Sequence, residues 1–364
     1  MRSITLRLIT FCAATVVLAT ALLSLAAESG NPPRFAYVAN NQAGTISVFH
    51  IDRGLLRARS DVFTAGSSPL SLALTPSQKF LYAAGNGIPG LEGFAVNGSS
   101  GQLTSLASVP FTGPLFQLAV EPSGKFLVTV SGSSIQSYTI DGTSGALASA
   151  GFAAASSPTA VAIHPSGKFV YAVDVNNDEI TALSLDASTG ALTPISGSPF
   201  PTNSQNPNAA AIDPAGHYLF VTNGNGASVS VFAIDSNTGA LTQVAGSPFP
   251  AGNIPESVVV SSNGKFLYVG NSFDKTISAF AIDSATGSLA EVSGSPFATG
   301  ASGPLGLAID APDLTLYSMD HDTDQVAIFK INPLTGALRL GSTVSSGGPA
   351  ISMAITGKTT ARMH

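Results

Sequence analysis

Five consecutive residues, Asp320-His321-Asp322-Thr323-Asp324, set three carboxylates at alternate positions. Alternate oxygen donors on a loop suit Ca²⁺, which makes Asp320, Asp322 and Asp324 the candidate metal ligands. The longer spacing does not extend that pattern, because an EF-hand loop would need Gly where Gln325 stands and Glu where Ile331 stands. A solvated acidic turn fits the same residues, and no cofactor is expected. Elsewhere, Glu256 is the one carboxylate beside a recurring set of prolines, with Thr159 and Asn208 beside two others. A carboxylate can move a proton, and a neighbouring amide can hold a polar ligand. His50, His164, His217 and His364 form no pair with metal-ligand spacing, and the chain has neither a Gly-x-Ser-x-Gly elbow nor a phosphate loop.

These residues sit in a repeat. The stretch from Pro207 to Phe249 contains Ala209-Ala210-Ala211-Ile212-Asp213-Pro214, Tyr218-Leu219-Phe220-Val221, Val229 to Asp235, Thr238-Gly239, Leu241 and Gly246-Ser247-Pro248-Phe249. Four short β-type runs are separated by turn residues. Opening prolines recur at Pro69, Pro114, Pro158, Pro207, Pro255, Pro304 and Pro349, with spacings of 45, 44, 49, 48, 49 and 45. Arrays of such units form β-propellers, one four-stranded blade per unit, and seven openings predict seven blades. The chain enters mid-unit at Phe35 and leaves after the opening at Pro349, so the N-terminal strands must pair with the C-terminal strand. That closure removes both free edges, and a monomer is expected.

The repeat sorts the loops by face. Turns such as Pro122-Ser123-Gly124-Lys125 and Thr238-Gly239 share one side, and Lys79, Lys125, Lys168 and Lys265 are solvated turn residues there. The segments around the opening prolines and the loops after each second strand share the other, where a ligand would be bound. The ligand-face candidates are Thr159, Asp174, Asp178, Asn208, Asn223, Glu256 and Asn271. The residues following the prolines, Leu70, Leu115, Thr159, Asn208, Glu256, Leu305 and Ala350, are expected to ring the axis. The Phe of Gly-Ser-Pro-Phe (Phe200, Phe249, Phe297) is expected between blades, and Leu192 to Phe200 is expected to form one outer strand.

Composition narrows the partners. The chain is only 10% charged and carries a net charge of −6, with its basic residues in no stripe, which excludes nucleic acid as an expected partner. Arg2 and Arg7 precede an apolar run from Leu8 to Ala27 that ends in small residues before Glu28. Residues 1–27 read as a signal peptide, or as an uncleaved anchor, the one case in which a membrane is a partner. Both place the folded part outside the cytoplasm. Residues 28–34 then form a linker, 35–357 the propeller and 358–364 a tail. Cys12, the only cysteine, lies in the apolar run, so the mature chain has no disulfide and no thiol nucleophile.

Tyr37-Val38-Ala39-Asn40, Asp213-Pro214, Gly264-Lys265-Phe266-Leu267-Tyr268-Val269 and Ile282-Asp283 with Thr286-Gly287 resemble the repeat of the seven-bladed lactonase-type propellers. That family includes the propeller 6-phosphogluconolactonases and merges into the secreted bacterial Tyr-Val-Thr-Asn repeat proteins. The resemblance implies the fold from Phe35 to Thr356 and a ligand site on the face assigned above. Lactonase members carry His-Pro-His before one innermost strand and Arg-His after a proline in the next blade. Here those places read Ser157-Pro158-Thr159 and Asn206-Pro207-Asn208-Ala209, and the family's acidic loop persists only in outline as Asp174 to Asp178. No arginine occurs between Arg59 and Arg339, so the side chain that grips phosphate with two parallel hydrogen bonds is missing from the blades that would hold a phosphosugar.

The expectation is a binding or interaction scaffold for a small polar ligand or a protein or cell-surface partner. The alternatives are a lactone hydrolase using other residues, with Glu256 and Asp174 as bases and Asn208 as donor, and a structural cell-surface protein.

Overall fold

The protein is represented by a computed structural model that describes residues 34–64, 68–86, 90–111, 113–300, 303–310 and 314–357. The expected signal segment and the tail at 358–364 lie outside the described residues, as does the linker up to residue 33. Seven antiparallel sheets surround an axis, and no described residue is helical. The innermost strands are Ala350–Ile355, Ser68–Leu74, Leu115–Val120, Pro158–Ile163, Pro207–Ile212, Pro255–Val260 and Pro304–Asp310, numbered here as blades 1 to 7.

The ring closes as the split repeat predicts. In blade 1 the C-terminal strand Ala350–Ile355 lies against Arg34–Asn40, with Tyr37 opposite Ala354 and Val38 opposite Met353. Asn41 N–H donates to Pro349 O (2.9 Å). Arg34 forms an ion pair with Asp310 of blade 7, and Gln78 of blade 2 exchanges two hydrogen bonds with the main chain of Gly357 (2.6 and 3.0 Å). Seven apolar clusters lie between the seven pairs of neighbouring blades.

One residue type fastens blade to blade. Tyr37, Tyr82, Tyr171, Tyr268 and Tyr317, in the middle of their second strands, are fully buried and donate their hydroxyls to the carbonyls of Gly101, Gly145, Gly239, Gly336 and Gly54 of the next blade. Burial pushes the Tyr37, Tyr82, Tyr171 and Tyr317 phenols above their ordinary pKa, so they remain donors at any physiological pH. Gly239 shows why the receiving turn needs glycine: its φ is +74°, and a Cβ there would meet the Phe169 ring at 2.6 Å. The turn is set by Asp235, whose carboxylate accepts N–H bonds from Asn237 and Thr238.

The outer strand is not continuous where Gly-Ser-Pro-Phe occurs. In blade 4, Leu192–Pro194 and Phe200–Pro201 pair with separate parts of Glu179–Leu185. Between them Ser198 Oγ accepts the Ala182 N–H (2.9 Å), as Ser247 and Ser295 accept those of Val231 and Ala279. A proline cannot donate to a ladder, and the serine hydroxyl supplies the acceptor that an unbroken strand would have offered. Phe200, Phe249 and Phe297 pack against the inter-blade clusters, as the repeat implied.

Blade 2 departs from its neighbours in a way that titrates. The second strands of blades 1, 5 and 6 end in Asn40, Asn223 and Asn271, whose amides donate to Ser47, Ser230 and Ser278 (2.8 to 2.9 Å). Blade 2 has Gly85 and Glu92 at these two places, and burial lifts the Glu92 carboxyl to about 7. A carboxyl that binds its proton more tightly when folded favours the native state fully below the ordinary glutamate range, and that contribution fades as pH rises through about 7. Glu92→Gln should therefore melt higher than the parent at pH 8 and close to it at pH 4.5. A melting gap that does not widen from pH 4.5 to pH 8 contradicts the assignment.

Candidate functional site

Every innermost strand carries a β-bulge near its start. The register slips across Leu70, Phe116, Thr159, Asn208, Glu256 and Leu305, and again at Ile351. A bulge leaves one residue out of the ladder and re-aims its side chain. All seven bulged residues are half-buried, and all seven line one cavity of about 360 Å³ on the axis.

This arrangement corrects two members of the expected ring. Phe116 and Ile351 take the places given to Leu115 and Ala350, which are fully buried. Pro114 and Pro349 stand one residue early: Leu115 and Ala350 pair with Ser131 and Asn40, just as Pro158 pairs with Asp174. Aligning the apolar residues of the strands rather than the prolines exposes this offset.

In order around the axis the ring reads Ile351, Leu70, Phe116, Thr159, Asn208, Glu256 and Leu305. It is divided into an apolar arc of four residues and a polar arc of three. Packing of each inner strand on the next brings Leu305 and Ile351 together, so both arcs are continuous. Met319, Met353 and His321 also border the cavity. His321 comes from the acidic loop, and its ring lies 3.3 Å from both Gln42 Nε2 and Asp322 Oδ1. Burial raises the pKa of Glu256, partly offset by the neighbouring Ser272 hydroxyl and by the charge of His321. The cavity lining thus holds one carboxyl whose pKa is raised, one imidazole, the amides of Asn41, Gln117 and Asn208, and the hydroxyls of Ser71, Thr159 and Ser352. Thr159 Oγ1 is buried and has no partner among the described residues.

Of the ligand-face candidates, Thr159, Asn208 and Glu256 meet in the cavity, while Asp174, Asp178, Asn223 and Asn271 do not border it. Asp174, Asn223, Asn271 and Asp320 occupy one repeat position, the end of the second strand, and are buried there. Asp174 accepts N–H bonds from Ser157, Asn176 and Asn177. Asp178 accepts the Asn206 N–H (2.6 Å). These two carboxylates hold the segments leading into Pro158 and Pro207, so they position Thr159 and Asn208. Asn223 is directed into its blade, toward Ser228 and Ser230, and Asn271 also receives Gly252 N–H (3.2 Å). Asp320 accepts the N–H groups of Asp322 and Thr323, whereas Asp322 and Asp324 are exposed. Among the described residues no group of three or more His, Cys, Asp or Glu could hold a metal ion. His321 is the cavity residue that the sequence reading passed over, since it had been grouped only with the acidic run.

The rim beside Glu256 is unusual. Ile254, a β-branched residue before Pro255, has φ +51°, and Ser272 fixes its carbonyl through both N–H (2.9 Å) and hydroxyl (3.1 Å). The next residue, Phe273, is 71% exposed.

Comparison with known proteins agrees with this architecture. Residues 29–116, 147–254 and 245–353 match the family described as lactonase, 7-bladed beta-propeller. A putative 6-phosphogluconolactonase from Bacteroides uniformis superposes with a TM-score of 0.79 at 19% identity, covering 90% of this chain and 100% of that one. The periplasmic gluconolactonase PpgL of Pseudomonas aeruginosa gives 0.78 at 20% identity, covering 89% and 99%. No curated protein sequence matches significantly. Those identities establish a shared fold, and the match to the family profile spans most of the sequence. The chain belongs to the lactonase family of seven-bladed β-propellers.

Proposed function

We propose that the protein is an extracytoplasmic binding propeller that takes a small uncharged ligand, with an apolar body and a hydrogen-bonding end, into the axial cavity. The observation that carries this reading is the division of the bulge ring into two arcs. Leu305, Ile351, Leu70 and Phe116 offer a continuous apolar wall, and Thr159, Asn208 and Glu256 offer polar atoms opposite. A cavity of about 360 Å³ suits a molecule of roughly ten to fifteen heavy atoms. No arginine or lysine borders it among the described residues, so a phosphate or carboxylate would find the His321 imidazole as the one basic side chain in the wall and would face the Glu256 carboxyl as well. The lysines of the repeat turns lie exposed on the opposite face.

Saturation-transfer NMR with uncharged amides and alcohols of six to ten carbons, and with 6-phosphogluconate, tests the reading. The uncharged compounds should bind, the phosphate should not, and Phe116→Asp should abolish binding. Binding of the phosphate alone, or binding indifferent to Phe116→Asp, overturns it.

A second reading, hydrolysis of a neutral lactone, is favoured by Glu256 and His321 bordering one cavity, with Glu256 as the base and Asn208 as a donor. Asp174 is no part of it, because its carboxylate is engaged by three main-chain N–H groups. The extracytoplasmic placement rests on the Leu8 to Ala27 pattern. Mass spectrometry of protein from its host should find an N-terminus between Ala26 and Gly30, and an intact Met1 in the membrane fraction would mean an anchor.

A further inference from the structure

The residue after each bulge belongs to a second ring, one step further along the strand: Ser352, Ser71, Gln117, Ala160, Ala209, Ser257 and Gly306 in blades 1 to 7. All but Ser257 border the axial cavity. The two rings complement each other in chemistry. Blades 1 to 3 put a polar residue after an apolar bulge, and blades 4 and 5 put alanine after a polar one.

The three polar residues of this second ring share one task in the fold. Each reaches the innermost strand of the next blade and accepts a main-chain N–H there: Ser352 Oγ from Leu72 (3.1 Å), Ser71 Oγ from Leu118 (3.3 Å), and Gln117 Oε1 from Val161. A serine suffices for that task in blades 1 and 2. The glutamine of blade 3 brings an NH₂ group besides. The Val161 N–H fixes which way the amide is turned, and Nε2 then keeps two donors with no partner among the described residues. Unlike Thr159 Oγ1 and Ser257 Oγ, Nε2 is not sealed off, and Gln117 stands on the cavity wall with 8% of its surface exposed.

The order of the bulge ring says what arrives at this donor. The apolar arc begins at Leu305, beside Glu256, and ends at Phe116, which directly precedes Gln117 in the chain. A ligand with its head at Glu256 and Asn208 and its body along Leu305, Ile351, Leu70 and Phe116 brings its far end to the Gln117 amide. An apolar chain end lying there would strip water from the NH₂ group and give it no acceptor.

We infer that the ligand is two-headed: besides the end held by the polar arc, it carries an acceptor oxygen bound by Gln117 Nε2 at the far end of the apolar arc. This inference rests on the binding reading given above and adds the second functional group of the ligand.

Two isosteric amides test it on the full folded chain, 6-methoxyhexanamide and octanamide, which differ by an ether oxygen in place of a methylene. The ether oxygen accepts and cannot donate, so it reads a donor in the wall. One net hydrogen bond is worth about two- to tenfold in affinity, and 6-methoxyhexanamide should bind the parent tighter than octanamide by that factor. Gln117→Glu keeps an acceptor for the Val161 N–H and removes both donors, and in it octanamide should become the tighter of the two. If octanamide binds the parent tighter, or if the preference for the ether survives in Gln117→Glu, the second contact is wrong and the binding reading stands. If neither compound binds up to its solubility limit, the binding reading fails and the second contact with it. Should Gln117→Glu not fold, the Gln117 side-chain NH₂ protons of the parent decide. A downfield shift with 6-methoxyhexanamide and none with octanamide supports the contact, and equal behaviour with both overturns it.

Discussion

Removal of residues 349–364 is expected to leave a chain that no longer folds as a monomer. The deleted segment supplies the innermost strand of blade 1, in which Ala350, Met353, Ala354 and Ile355 are 0 to 3% exposed. Burial of Met353 and Ile355 contributes about 1.5–3 kcal/mol for each side chain, and the strand Arg34–Asn40 loses its whole inner ladder. A domain has a net stability of only about 5–15 kcal/mol, so losses of this size take most of it. The truncation also uncovers Arg34–Asn40 as a long apolar edge, which templates association. Circular dichroism melts and light scattering check this together. The expected outcome is a missing or strongly lowered transition with soluble aggregates. A truncated protein that melts with the parent and stays monomeric contradicts the closure.

Hydrolysis of 6-phosphogluconolactone is expected at no more than the spontaneous rate. At the two inner-strand openings where lactonase members carry imidazoles and a guanidinium, this chain has Ser157, Thr159, Asn208 and Ala209. Loss of a general base removes roughly 10² to 10⁴ in rate, and loss of a preorganised donor about 10² to 10³ more. Glu256 is a poor substitute, because its burial favours the protonated form. A coupled or pH-stat assay with purified protein measures this directly. Turnover well above background that disappears in both Glu256→Gln and Asn208→Ala would move the account to the hydrolase reading. Turnover that survives both would place the chemistry elsewhere.

Much of the architecture was legible because the repeat is carried by residues with one steric or hydrogen-bonding job. The opening prolines, the Asp-x-x-x-Gly turns and the second-strand tyrosines mark a blade from sequence alone, and the split unit at Phe35 and Pro349 marks the closure. The site was legible only in part. Thr159, Asn208 and Glu256 follow prolines that sit in register, so their place on the axis could be read. Leu115 and Ala350 were misplaced because Pro114 and Pro349 stand one residue before the place the other prolines hold, so the proline is not the fixed point of the register in blades 3 and 1. Asp174, Asn223 and Asn271 share the ligand-side face in sequence, but their short side chains turn back to satisfy their own loops. Which side an alternating strand end faces depends on the loop that follows, and spacing does not record it. His321 was hidden for a related reason: its carboxylate neighbours suggested a metal loop, whereas the fold turns the imidazole toward the axis and Gln42 of blade 1.

The central claim is that the two arcs of the bulge ring orient a small uncharged ligand in the axial cavity. Crystals of the protein soaked with hexanamide test it most directly, because the pose reports both arcs at once. The account predicts density in the cavity, with the alkyl chain against Leu70, Phe116 and Ile351 and the polar end within hydrogen-bond distance of cavity polar groups. Density confined to the outer surface, or a chain lying against Thr159, Asn208 and Glu256 with the amide against the apolar arc, would contradict it.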